Sequence, residues 1–167
     1  MLFLKYYSSP VGDITLVSDG TFLTGLHFDG QMLLSEEVQT DLLIKDLPVF
    51  SQTEQWLDVY FSGEVPGIAP PIFLKGSAFQ KTVWEILLQI PYGKTVTYGD
   101  IAKAIAKRKG IARMSAQAVG GAVGHNPVAL IVPCHRVIGV NGKLVGYGGG
   151  IDRKRQLLLL EGNRDFH

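Results

Sequence analysis

Cysteine occurs once in the 167 residues, at Cys134. One thiol excludes an intrachain disulfide and any multi-thiolate zinc site. His27 stands alone in the first half and makes no site, so neither a metal nor a cofactor is expected. Charged residues reach only 19% against 46% apolar ones, which excludes a disordered chain and leaves enough apolar mass for a real core. No apolar run approaches the roughly 18 residues that span a bilayer. The opening MLFLKYY is too short in apolar residues for a secretory signal. A cytoplasmic protein with no membrane partner is the expectation, built as one domain or two small ones at roughly 150 residues per domain.

Bases are scarce in the first half and acids in the second. Residues 1–74 sum to −8 and residues 75–167 to +9, hidden in a net charge of +1. Lys103, Lys107, Arg108, Lys109 and Arg113 crowd into one short stretch. This asymmetry suggests a half that faces a polyanion joined to a half with another task.

The first 30 residues read as a β-meander: Leu2 to Tyr7, Ile14 to Val17 and Phe22 to Phe28, separated by turn-type clusters. Pro48 opens a helix over 48–62, with Val49, Trp56, Val59 and Tyr60 at helical spacing. Pro66, Gly67, Pro70 and Pro71 then break regular structure and place a domain boundary, giving domains 1–74 and 75–167. Ser77 and Gln80 form a capping box before a helix with Val83, Trp84, Ile86, Leu87 and Ile90 inward. Thr97 caps a helix over 98–107 and Ser115 another over about 116–124. Two short helices joined by a basic loop are compatible with a helix-turn-helix, although most such pairs are simply packing units. Asp152 to Glu161 reads as a final helix stopped at Gly162. The preceding Gly148-Gly149-Gly150 lacks any phosphate-loop signature and reads as a hinge or lid.

The helix over 116–124 carries Gly120, Gly121 and Gly124. Each interior glycine costs about 1 kcal/mol relative to alanine. Such a helix exchanges stability for smallness, either to pack tightly inside the protein or to enter a narrow nucleic-acid groove.

Val128 to Val132 is an apolar run that reads as a buried strand, delivering Pro133-Cys134-His135-Arg136 at its end. A lone buried cysteine is commonly inert. Here His135 supplies a base and Arg136 positive potential, the conditions that favour a thiolate. Adjacent strand residues point to opposite faces, so His135 would reach Cys134 through a turn or a water. Glu161, beside four leucines, is either a frayed surface end or the buried carboxylate that fixes the histidine tautomer. Asn126, before Pro127, holds a turn or hydrogen-bonds the chain near the thiol. These residues describe a cysteine nucleophile with a His–Glu relay in an anion-binding half. Thiol hydrolases, acyltransferases and alkyl transferases all remain open at that point.

Asn126-Pro127, then Pro133-Cys134-His135-Arg136-Val137, Gly146-Tyr147 and Glu161-Gly162 strongly resemble the O6-alkylguanine-DNA alkyltransferases (methylated-DNA–protein-cysteine methyltransferases). The resemblance covers roughly Ser77 to Gly162 well and the first half only in general layout. It implies an N-terminal α/β, ribonuclease-H-like domain with a small antiparallel sheet. A mostly α-helical, winged-helix-like domain for DNA binding and catalysis would follow it. It implies irreversible, single-turnover transfer of an alkyl group from O6 of guanine (and O4 of thymine) in DNA to Cys134. His135 would act as base through a water, Glu161 would orient it, and Asn126 would support the thiolate turn. Tyr98 would donate to the flipped purine, whose extrusion costs a few kcal/mol. Val137, Tyr147 and Gly148 would line the substrate pocket. Ser115, Ala116, Gln117, Ala118, Gly120 and Gly121, with Arg136, would meet the minor groove of double-stranded DNA. The protein would act as a monomer. Gln117 stands where the family commonly has an arginine, which removes a charge and a stacking plane. The alternatives are a thiol hydrolase using Cys134, His135 and Glu161, and a non-catalytic damaged-DNA-binding module.

Overall fold

The computed structural model describes residues 1–31 and 41–167. The chain divides into two compact units, one of residues 1–75 with 127–129 and one of residues 76–126 with 130–167. None of the described helices is long and apolar enough to cross a membrane.

In the first unit, strands β1 (Leu2–Ser9), β2 (Gly12–Ser18) and β3 (Leu23–Phe28) form the expected antiparallel meander. The sheet as a whole is mixed, because a short β4 (Leu42–Ile44) joins the free edge of β1 in parallel, giving the order β3-β2-β1-β4. A parallel partner needs a connection of about a dozen residues rather than a hairpin, and the stretch between β3 and β4 is of that length. Helix α1 (Pro48–Phe61) packs against β1 and β2. Its buried stripe is Val49, Phe50, Thr53, Leu57 and Tyr60. Buried Thr53 returns its hydroxyl to the Val49 carbonyl at 2.7 Å, so that hydroxyl is satisfied inside the helix.

In the second unit, α2 (Ala78–Leu88) and α3 (Tyr98–Lys109) both open with complete capping boxes, Ser77 with Gln80 and Thr97 with Asp100. Helix α3 ends on Gly110 in the left-handed conformation, with Lys107, Arg108 and Lys109 in its last turn. Helix α4 (Ala116–Gly124) is capped by Ser115 and buries Val119, Ala122 and Val123. The Trp84 indole of α2 donates to the Ala122 carbonyl at 2.9 Å and so fastens α4 to the core. A Cβ at Gly76 would lie 2.5 Å from the Trp84 ring, which requires glycine there. Helix α5 (Ile151–Leu160) closes the unit, its end marked by Gly162 at φ +81°.

The strand expected over Val128 to Val132 does not form. Only Val128 makes a bridge, to Leu26, and residues 129–131 are turns. Leu130 has φ +69°, a left-handed conformation that interrupts any ladder. The run is buried throughout, so its hydrophobicity reports burial and not a strand.

Candidate active site

Three local devices bring the candidate residues together in the second unit. The first is the turn that replaces the strand. The Asn126 amide donates to the Val132 carbonyl at 2.7 Å, and the Cys134 N–H closes on the same carbonyl at 2.8 Å. Cys134, His135 and Arg136 then form a single 3-10 turn. The opposite-face problem of an extended strand therefore disappears.

The second device is a parallel pair of two-residue strands, β5 (Val96–Thr97) and β6 (Val137–Ile138). It places Val137 beside Val96 and the start of α3, with Tyr98, next to the cysteine turn. Burial raises the Tyr98 hydroxyl above its ordinary range, and charge on Cys134 raises it further. Tyr98 therefore stays protonated and able to donate.

The third device is the end of α5. Glu161 is fully buried and receives four donors. His135 Nε2 lies 2.5 Å from Oε2 and Arg136 Nη2 donates to the same oxygen at 3.2 Å. Arg136 Nε donates to Oε1 at 2.8 Å and the Gly93 N–H at 2.9 Å. Burial pushes the Glu161 carboxyl up, but the bonds from His135 and Arg136 outweigh it and hold the group at about 2. Burial also keeps His135 below its ordinary pKa against the pull of Glu161, so the ring is neutral at pH 7.

Arg136, expected at the DNA, is placed otherwise. It is 8% exposed, its third contact runs from Nη1 to the Ile90 carbonyl at 2.8 Å, and its guanidinium lies 5.7 Å from the Tyr92 ring centre. A planar fork matched to a carboxylate is the geometry arginine favours when buried. The Pro91-Tyr92-Gly93 loop closes this bracket, with Asn163 Nδ2 donating to the Gly93 carbonyl at 3.0 Å.

Cys134 is 7% exposed. Burial pushes its thiol up, while the Asn126 amide, the Lys154 charge and the Tyr147 hydroxyl pull it down. Burial dominates, so the thiol stays above its ordinary pKa, and Asn126, Lys154 and Tyr147 are the groups that act against it. Lys154 was not a candidate from sequence at all. Its signal was its register: Lys154, Leu157 and Leu158 share the buried face of α5 at helical spacing, a cation in an apolar stripe. Gly148 lies in the loop carrying Tyr147, where the Gly150 N–H bonds the Tyr147 carbonyl at 2.9 Å.

Ser115, Ala116, Gln117, Ala118 and Gly121 are exposed on α4. A Cβ at Gly121 or Gly124 would meet nothing within 4 Å, so internal packing does not account for them. Gly120 sits against the Tyr98 ring, where a Cβ would make an ordinary 3.8 Å contact. The stripe of small residues is an open surface that ends beside Tyr98.

Residues 78–163 match the family described as 6-O-methylguanine DNA methyltransferase, DNA binding domain, and residues 2–69 match its ribonuclease-like domain. The methylated-DNA–protein-cysteine methyltransferase of Mycobacterium tuberculosis is 46% identical over 164 residues, 98% of this chain and 94% of that protein. The protein of the same name from Methanosarcina acetivorans is 40% identical over 97% of this chain and 99% of its own. The crystal structure of M. tuberculosis OGT in complex with DNA superposes with a TM-score of 0.83 at 45% identity, covering 95% of this chain and 92% of that one. The O6-methylguanine-DNA methyltransferase of the archaeon Pyrococcus kodakaraensis gives 0.62 at 29% identity, with 97% and 99% covered. With both halves matched and relatives aligned along nearly its full length, the chain belongs to the O6-methylguanine DNA methyltransferase family.

Proposed function

We propose that this chain repairs duplex DNA by moving an alkyl group from O6 of guanine onto its own Cys134, once per molecule, in the cytoplasm and as a monomer. The observation that carries the reading is the single thiol set beside a neutral, buried His135 whose Nε2 is held by Glu161 at 2.5 Å. A histidine whose Nε2–H is given to a carboxylate presents Nδ1 as the atom that accepts a proton. The thiol proton passes toward Nδ1, and the imidazolium that forms is stabilised by Glu161.

The sulfur attacks the alkyl carbon, the carbon–O6 bond breaks, and its electron pair leaves with the purine. Tyr98, kept protonated by burial, donates to that leaving base. The product is a thioether, which water does not cleave, and this chain has no second thiol to take the group onward. The target must leave the base stack to reach the thiol of a residue that is only 7% exposed. Helix α4 supports a minor-groove approach, since its outer face carries only Ser, Ala, Gln and Gly side chains. Val137, Tyr147 and Gly148 are assigned to the pocket wall. Arg136 acts as a brace of Glu161 and not as a DNA contact.

Incubation with an equimolar duplex containing O6-methylguanine should add the mass of one methylene, a methyl in place of the thiol hydrogen, to the peptide bearing Cys134, after which activity stops. Repeated turnover by one molecule, or full activity in Cys134→Ser, would overturn the reading.

A further inference from the structure

Residues 163–167 follow α5 as a strap that is fixed at both ends. At its start, buried Asn163 donates from Nδ2 to the Gly93 carbonyl at 3.0 Å and accepts the Asp165 N–H on Oδ1 at 2.9 Å. At its end, the His167 N–H donates to the Gly142 carbonyl at 2.9 Å, and the His167 carbonyl accepts the Leu144 N–H at 2.8 Å. Such a reciprocal pair is how one extended segment holds a neighbour. The approach is close, since a Cβ at Gly142 would lie 3.1 Å from the Asp165 carbonyl oxygen.

Between these ends, half-buried Phe166 packs against the buried cluster of Ile138, Leu144 and Leu158. Ile151 packs against the same cluster. Leu144 and Ile151 bracket residues 145–150, the loop that carries Tyr147 and Gly148. The strap thus holds Leu144 twice, by its N–H through His167 and by its side chain through the cluster that Phe166 covers. Ile138, in that cluster, directly follows Val137 of the proposed pocket wall. Inside the loop, the Gly150 N–H closes on the Tyr147 carbonyl at 2.9 Å, and Arg153 and Lys154 of α5 hold the carbonyls of Gly149, Val145 and Gly146. The Tyr147 hydroxyl hydrogen-bonds Cys134. A short loop pinned at both ends has few conformations to sample, so its middle residue keeps one distance from the sulfur.

We infer that Phe166 is a positioning residue that sets the width of the pocket at Cys134, and so the size of the alkyl group accepted there, by pinning both ends of the loop that carries Tyr147. The inference rests on Cys134 as the reacting thiol with Tyr147 at its wall, but not on DNA being its substrate.

The test is alkylation of the full-length protein by iodoacetamide and, separately, by N-benzyliodoacetamide. In both, the sulfur attacks the methylene, iodide leaves, and the thiol proton passes to buffer. Cys134 is the one thiol of the chain, so intact mass follows the reaction. Each rate is divided by that of free cysteine with the same reagent, which cancels intrinsic reactivity. In Phe166→Ala the ratio of the benzyl rate to the unsubstituted rate should rise about tenfold, the scale on which pocket shape discriminates small groups. Hydrogen exchange at Tyr147 and Gly148 should quicken at the same time. Phe166→Leu, which restores apolar bulk, should return the ratio toward the wild-type value. Gly76→Ala, a destabilising change at Trp84, should leave it unmoved. An unchanged ratio in a folded Phe166→Ala overturns the inference, and so does an equal rise in Gly76→Ala.

A second measurement needs no variant. The wild type is capped to completion with each reagent, and hydrogen exchange is read at Leu144 and His167, the two N–H groups of the reciprocal pair. The benzyl group forces the loop outward, so both amides should exchange faster in that adduct than in the smaller one. Equal exchange in the two adducts overturns the inference. Methyl transfer from an O6-methylguanine duplex, measured separately on the wild type, tests the repair function without reference to Phe166.

Discussion

Arg136 grips Glu161 with two hydrogen bonds, Nε to Oε1 at 2.8 Å and Nη2 to Oε2 at 3.2 Å, at a site where the carboxylate is fully buried and the arginine nearly so. The residue after the histidine thus holds the residue that holds the histidine. Two neighbours in sequence converge on one carboxylate 26 and 25 positions away, because the 3-10 turn points both side chains toward the end of α5.

Removing the charge from Glu161 strands the guanidinium. Glu161→Gln should cost about 3–5 kcal/mol, the usual result of breaking a buried ion pair from one side. Urea unfolding measures the loss. Methyl transfer to Cys134 should also slow, since the His135 tautomer is no longer fixed.

Arg136→Met separates a structural from a DNA-contacting arginine. Stability should fall by a similar amount, while the slope of log DNA affinity against log salt stays unchanged. An arginine on a phosphate would reduce that slope by about one on substitution. Affinity measured at three or four salt concentrations decides it.

Acid should unpick the same network. The Glu161 pKa is depressed from 4.5 to about 2 in the folded state, so its contribution is complete above pH 4.5 and is lost as pH falls through that window toward 2. Unfolding free energy recorded between pH 6 and 2 should drop in the wild type and change less in Glu161→Gln.

The glycines divide into two classes. Gly76→Ala drives a Cβ to 2.5 Å from the buried, rigid Trp84 ring and should destabilise by about 1–3 kcal/mol. Gly121→Ala meets nothing within 4 Å and should stabilise α4 by up to about 1 kcal/mol. It should nevertheless weaken DNA binding, because the added methyl keeps the helix from close approach. Thermal unfolding and a DNA titration on the two variants check both statements.

Much of this was legible in the chain itself. Capping residues are local, so Ser77, Thr97 and Ser115 marked helix starts within a residue of where they occur. The Pro-Cys-His-Arg-Val run singled out the reactive segment, and β-rich runs between turn clusters marked the three strands of the first 30 residues. Val128 to Val132 misled, because an apolar run reports that a segment is buried, not how its backbone finds hydrogen bonds. There a side-chain amide, Asn126, and a left-handed Leu130 replaced the ladder. A β4 lying parallel to β1 was hidden as well, since two or three residues of pairing carry no periodic signal.

The sequence by itself determined which atoms can react: one sulfur, one adjacent imidazole and a carboxylate among leucines. Only the tertiary structure decided which charges meet. It turned Arg136 inward to Glu161 and buried Lys154 with its ammonium 6.0 Å from the ring centres of Tyr98 and Tyr147. Electrostatic partnership depends on distances of a few ångströms and on the exclusion of water, and neither is a property of positions along a chain.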